Sequence, residues 1–191
     1  MIRDMVTRNR SFRRFHQDHH VGIKDLRELV DLARLCASAG NRQPLKYVLS
    51  NEAFLNAVIF EHLGWAAFLK DWPGPAEGER PSAYIVILGD REITDSFGSD
   101  AGIAAQTIML GAVEKDLGGC MIASVDRKGL AGALLIPERY EILLVIALGK
   151  PGEEVRIEEM VPGGDFRYWR DGDGVHHVPK RPLDEIILKR E

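Results

Sequence analysis

Residues Ala83–Leu88 read AYIVIL, and residues Glu141–Leu148 read EILLVIAL. Neither stretch alternates apolar with polar residues. A strand that is apolar throughout is covered on both faces, so both are expected in the middle of a sheet. Between them, Ala101–Leu117 reads AGIAAQTIMLGAVEKDL. Ile103, Ala104, Ala105, Ile108, Met109, Leu110, Ala112 and Val113 leave this helix little polar face, so it must be buried on every side. Its small residues, among them Ala101, Gly102 and Gly111, permit close approach of another helix. In a chain this small, that pattern suggests a core helix shared with a partner subunit.

Working outward, Lys24–Ala37 has helical spacing, with Leu26, Leu29, Val30, Ala33, Cys36 and Ala37 on one face. Asp25 and Glu28 resemble a capping box at its start, and Gly40 is a plausible stop. Leu45–Ser50 (LKYVLS) reads as a strand and Glu52–Leu63 as a helix. Lys70–Pro81 is rich in Pro, Gly and Glu and reads as a loop. Cys120–Ala123 reads as a short strand after Gly118-Gly119, and Arg127–Leu135 as a short helix. The last forty residues are polar, Gly-rich and aperiodic until Leu183–Leu188. They lack a core of their own and are expected to wrap over the domain or over a partner. Alternating helices and strands suggest a doubly wound sheet. Against that, no glycine-rich turn follows any strand, and neither G-x-G-x-x-G nor a Walker A pattern occurs. An α+β sheet with helices packed around it fits at least as well. Residues 1–191 are read as one domain, with about 160–191 as an extended C-terminal arm.

Composition narrows the function classes. With 45% hydrophobic and 28% charged residues, the 191-residue chain is neither disordered nor collagen-like. A net charge of −4 disfavours a nucleic-acid binder. The longest apolar run, Ile142–Leu148, is too short to span a membrane. The N-terminus lacks the apolar stretch of a signal peptide. Two cysteines, Cys36 and Cys120, make no disulfide scaffold and read as buried, inert thiols. The expected location is the cytoplasm.

No catalytic dyad stands out. His16 and His20 are four residues apart but carry no helical pattern, and His176-His177 follow a Gly-rich turn; all read as surface histidines, with no metal site. No serine elbow or kinase set occurs. An enzyme whose cofactor does the chemistry needs none of these. The first twenty residues carry Arg3, Arg8, Arg10, Arg13 and Arg14 against Asp4 and Asp18. That cluster is either a solvated charged face or an anion site. Ser11, Lys180 and Arg181 would complete a dianion site from both ends of the chain. Ser38, Asn41 and Gln43 offer donors and acceptors for a flat polar heterocycle, and Gly118-Gly119 lets backbone approach a ring. Together these suit a phosphorylated aromatic cofactor.

Four segments, in order, resemble the FMN-dependent nitroreductase family. They are Asn9-Arg10-Ser11-Phe12-Arg13-Arg14-Phe15, Ser38-x-x-Asn41-x-Gln43-Pro44, Lys115–Ser124 (KDLGGCMIAS) and the basic PKRPLDEI beginning at Pro179. Asn9 stands where many members have the first arginine, with Arg8 as its candidate substitute. Ser124 stands near where a glycine is common.

The resemblance implies an α+β fold with a mixed sheet flanked by helices, in an intertwined homodimer with two FMN at its interface. It implies that Arg10, Ser11 and Arg13 hold the phosphate and ribityl chain, with Arg8 or Arg14 nearby and Lys180 and Arg181 adding charge. Ser38, Ala39, Asn41 and Gln43 would reach the flavin, with the backbone of Met121, Ile122, Ala123 and Ser124 beside its N5 edge. The implied activity is hydride transfer from NADH or NADPH, through flavin N5, to a nitroaromatic, quinone or similar small-molecule acceptor by a ping-pong route. No side chain is expected to be catalytic, because the flavin carries the chemistry. The alternative is a non-catalytic FMN-binding or flavin-transfer protein.

Overall fold

The computed structural model describes residues 1–188. Its centre is a five-stranded antiparallel sheet built on the two apolar stretches. β3 (Ala83–Asp90) and β5 (Tyr140–Pro151) lie side by side, from Ala83 opposite Leu148 to Asp90 opposite Tyr140. β2 (Leu45–Ser50) covers the free edge of β3. β5 is long enough to pair twice on its other edge. It takes β4 (Gly118–Ile122) along residues 145–149, then β1 (Phe15–His16) at Lys150 and Pro151.

Because β3 is buried at every position, both faces of the sheet carry a core. One face packs on α2 (Ile23–Arg34) and α4 (Asp100–Glu114) through Ile85, Ile87, Leu26, Leu29 and Ile108. The other packs on α3 (Ala53–Glu61) and α5 (Arg127–Ala133) through Tyr84, Val86, Ile59 and Leu130. At about 25 cal/mol per Å2, side chains this deeply buried supply most of the driving force.

The expected all-round burial of α4 is corrected to burial of one side, eight of its fifteen residues, and the reason for that close packing is visible. A Cβ on Gly111 would stand 2.7 Å from Leu32 Cδ1, so this small residue admits α2 of the same chain. Gly102, Ile103 and Gln106 remain exposed along α4.

The helix expected at residues 24–37 is shorter, and no side chain caps its start. Asp25 and Glu28 instead bind Lys115 Nζ, Asp25 at 3.0 Å and Glu28 at 2.5 Å, fastening α2 to the end of α4. The helix begins at Ile23 with Gly22 as its N-cap, so Asp25 falls inside the first turn rather than at the cap position. Cys36 is also not buried; it is half-exposed, with Sγ 3.0 Å from Thr107 Oγ1.

The chain starts with α1 (Ile2–Arg8) and ends in a small second sheet. There β6 (Val155–Glu159) pairs in parallel with β8 (His176–Lys180), and β7 (Trp169–Arg170) pairs antiparallel with β8. α6 (Leu183–Ile186) follows. This small sheet buries His176 and His177, which the sequence placed on the surface. Among the described residues, no helix is long and apolar enough to cross a membrane.

Candidate functional site

A cavity of about 320 Å3 opens where four parts of the chain meet. The segment before β1 supplies Asn9, Arg10, Ser11 and Arg13. α4 supplies Gln106 and Met109, and β4 supplies Met121. The C-terminal segment supplies Tyr168, His176, Val178 and Lys180.

Local packing fixes the arginine segment. The Phe12 amide donates to the Gly119 carbonyl at 2.9 Å, docking the segment on β4. The two glycines there make this possible. A Cβ on Gly118 would sit 2.4 Å from the Phe12 ring, and one on Gly119 would sit 2.4 Å from the Ala147 carbonyl oxygen. Gly118-Gly119 therefore makes room for Phe12 and for β5.

Charge in the cavity is one-sided. Arg10, Arg13 and Lys180 line it, and no carboxylate does. Among the described residues, none of the three has a carboxylate within 4 Å of its charged nitrogens. Arg10 Nη2 donates to the Val6 carbonyl at 2.6 Å, but its buried Nε has no partner among the described residues. Burial also pulls the Arg10 pKa below its usual value. Arg13 lies 4.8 Å from the Tyr168 ring centroid, a cation–π contact that orients the guanidinium.

Arg13 Nη1 lies 3.2 Å from His176 Nε2. A guanidinium only donates, so Nε2 accepts and the imidazole proton sits on Nδ1. Burial first, then the charge of Arg13 and of Arg170, holds the His176 pKa down at about 4. The ring is therefore neutral at pH 7. Its Nδ1 is buried and without a partner among the described residues. The cavity is thus a set of donors and cations awaiting acceptors, which is the chemistry of an anion site.

A second cluster stands at the other end of the exposed side of α4. Ser38 Oγ donates to Asp100 Oδ2 at 2.6 Å, and the Ala39 amide donates to Oδ1 at 3.1 Å. Ser38 Oγ in turn accepts from the Gln43 amide at 3.0 Å. The hydroxyl of Ser38 is spent on building the turn. The backbone there is forced: Gly40, Asn41 and Gln43 all have positive φ, at 59°, 53° and 51°. Such conformations cost about 1–3 kcal/mol for a non-glycine residue and concentrate at functional sites. They leave the Asn41 and Gln43 side chains exposed. Asp100 and Gln106 are six residues apart, so the two clusters are separated by about 9 Å along the helix axis.

Six further candidates lie outside both clusters. Arg8 binds Asp116 at 3.0 Å, and Arg14 binds Glu79 at 3.3 Å. Arg181 binds Glu185. Ile122 faces the α3–α5 core. Ala123 and Ser124 are exposed beyond β4, where their carbonyls accept from Arg127 and Gly64. Sequence reading missed His176, Tyr168, Gln106 and Met109 as site residues. The only signal for the tail was its basic end, because the parallel β6–β8 pairing that carries His176 has no local periodicity.

Comparison with known proteins agrees with this architecture. Residues 6–150 match the family model described as the Nitroreductase family. A protein of Archaeoglobus fulgidus, provisionally named NADH dehydrogenase/NAD(P)H nitroreductase, is 25% identical over 158 residues, covering 78% of this chain and 85% of its own length. Among solved structures, an FMN-dependent nitroreductase of Clostridium difficile R20291 superposes with a TM-score of 0.63 at 25% identity, covering 81% of this chain and 89% of that one. A provisionally named nitroreductase of Desulfovibrio desulfuricans, in complex with FMN, superposes with a TM-score of 0.73 at 20% identity, covering 100% of this chain and 96% of that one.

Proposed function

Because the chain belongs to the nitroreductase family, we propose that it is an oxidoreductase that binds FMN in the cation-lined cavity. One observation carries this reading: Arg10, Arg13 and Lys180 share a cavity that no carboxylate lines. The group fits the donors present. The phosphate would take the guanidinium forks of Arg10 and Arg13, with Ser11 and Lys180 beside them. The unpartnered Arg10 Nε and His176 Nδ1 are donors that phosphate or ribityl oxygens would satisfy. Met121 and the backbone through Ile122, Ala123 and Ser124 would line the ring edge, since the Ile122 side chain is committed to the core.

When bound, FMN supplies the redox chemistry, passing hydride from NADH or NADPH through N5 to a nitroaromatic, quinone or similar acceptor by a ping-pong route. The chain binds the cofactor, orients it and limits water around it. Arg8, Arg14 and Arg181 already hold carboxylates, so their part is to shape the segments that carry Arg10, Ser11, Arg13 and Lys180.

The reading includes a homodimer. Ser38, Ala39, Asn41 and Gln43 stand apart from the cavity of their own chain. The exposed Gly102 and Ile103 of α4 lie between the two clusters, and the exposed Gln106 borders the cavity. A twofold pairing along that strip would carry the Asn41–Gln43 turn of one chain to the cavity of the other. Two unbridged cysteines fit a reducing compartment, and the cytoplasm is the proposed location.

The test is anaerobic addition of NADH, and separately NADPH, to flavin-loaded protein. The expected result is bleaching of the visible flavin band by one of them, and its return on adding a nitroaromatic or quinone. A band that persists with both nicotinamides would sink the reductase reading.

A further inference from the structure

A second cavity, of about 340 Å3, lies on the α3 side of the sheet at the start of β3. It shares no lining residue with the cation-lined cavity. Three of its donors are buried without a partner among the described residues: Tyr84 Oη, Ser82 Oγ and Arg80 Nε. Tyr84 is fully buried and Ser82 is 8% exposed. Buried polar groups are almost always satisfied, so three orphans at one cavity call for an acceptor.

The surroundings hold these donors in place. The Asn56 amide donates to the Ser82 carbonyl at 2.8 Å and accepts from Ser50 Oγ at 2.7 Å, which anchors the start of β3. Arg80 lies 4.3 Å from the Phe60 ring centroid, and among the described residues no carboxylate comes within 4 Å of its charged nitrogens. Burial pushes the Tyr84 pKa above its usual value, while the nearby Arg80 charge opposes that shift. The phenol therefore remains an O–H donor. No side chain caps the first turn of α3, whose Glu52 and Ala53 also line the cavity. At the exposed rim stand Asp18 and Glu52, neither with a cation within 4 Å among the described residues.

The interior is therefore cationic and rich in donors, and the rim is anionic. We propose that this cavity binds a small zwitterion of the α-amino acid class. Its carboxylate sits on Arg80, Ser82 and Tyr84, and its ammonium faces Asp18 and Glu52. Phe60 and Pro81 provide an apolar wall for a side chain.

The experiment is ligand-observed NMR on the full chain with each of the twenty standard amino acids in turn. Titration runs to about 10 mM, where a Kd of about 1 mM is near saturation. At least one amino acid is expected to bind saturably. Its analogues lacking either the amine or the carboxylate are expected to bind at least about tenfold more weakly, as befits two charge-assisted ends. Tyr84→Phe, which keeps the ring in the core, should weaken binding about tenfold, and Arg80→Gln about a hundredfold. Thermal unfolding of each variant checks that it folds; if Arg80→Gln does not, Tyr84→Phe decides. Arg10→Ala should leave this binding unchanged. Binding by none of the twenty overturns the proposal and leaves the three donors to water. Full affinity retained in a folded Tyr84→Phe or Arg80→Gln overturns it equally.

Discussion

Glu153 joins three parts of the chain, and its removal is the most demanding test of the packing around the cation-lined cavity. Its side chain is 2% exposed. Oε1 accepts from the backbone amides of Arg13 at 2.5 Å and Arg14 at 3.1 Å. Oε2 accepts from Arg170 Nη2 at 2.8 Å. Arg170 is itself only 12% exposed and lies 4.8 Å from the Trp72 ring centroid. Glu153→Ala would leave two amides without an acceptor and a nearly buried guanidinium without its counter-charge. Removing one partner of a buried pair costs about 3–5 kcal/mol. For a domain of this size that lowers Tm by about 6–20 °C. Glu153→Gln keeps an acceptor for the amides and loses the charge, so about 1.5–3 kcal/mol is expected. Glu159→Ala, on the exposed side of β6, should stay within about 0.5 kcal/mol of wild type. Denaturant unfolding followed by tryptophan fluorescence measures all three. In the same samples, FMN should bind Glu153→Ala at least about tenfold more weakly, because the backbone that carries Arg13 loses its anchor. A Glu153→Ala stability within about 1 kcal/mol of wild type would refute the reasoning, since a nearly buried pair cannot be broken that cheaply.

Arg10→Ala should weaken FMN binding by at least about tenfold while Arg3→Ala, on the exposed face of α1, does not change it, because charge-assisted phosphate contacts are the strong ones; equal losses in a fluorescence titration would move the anion site elsewhere. Asp171, then Glu158, hold the His177 pKa above its ordinary 6.5. A raised base stabilises the fold fully below 6.5 and loses that contribution as pH rises through the folded value, so wild-type Tm should fall on the alkaline side more than that of His177→Gln. His176 has the opposite sign: its pKa is depressed to about 4, so stability present above 6.5 is lost as pH falls towards 4, and His176→Gln should blunt that acid-side loss. Asp100→Ala should cost about 1–3 kcal/mol in denaturant unfolding by orphaning the Ser38 hydroxyl and the Ala39 amide.

What the sequence disclosed follows from the range of the interactions involved. β2 over Leu45–Ser50 matches the reading residue for residue, and β3 and β5 extend their apolar stretches by a few positions. Those elements are dictated by which side chains must leave water, a property each stretch carries locally. The capping box at the start of α2 was misread because the helix already begins at Ile23, which puts Asp25 inside the first turn, where it and Glu28 meet Lys115 from about ninety residues away. The histidines were misread for a related reason. His176 and His177 are buried by strands β6 and β7, so neither ring's environment is written in its neighbours. His177 also stacks on Trp169 at 4.9 Å, a pairing visible only once β7 lies beside β8. Within the candidate site, Arg10, Ser11, Arg13, Met121 and Lys180 were legible because an ordered motif set marks them and the cavity brings them together. Ser38 was legible as important but not in its role, since the buried Asp100 that engages it lies sixty-two residues downstream. Residues 189–191, at the basic end, lie outside the described residues.

The central claim is that Arg10, Ser11, Arg13 and Lys180 form a phosphate site for FMN. Its most direct test is a side-by-side titration of apoprotein with FMN and with riboflavin, which differ only in the phosphate. FMN is expected to bind at least about a hundredfold more tightly, and that ratio should shrink as salt screens the cations. Affinities within about threefold of each other, a difference under about 1 kcal/mol, would mean that the phosphate meets no cations and that the cavity is not the cofactor site.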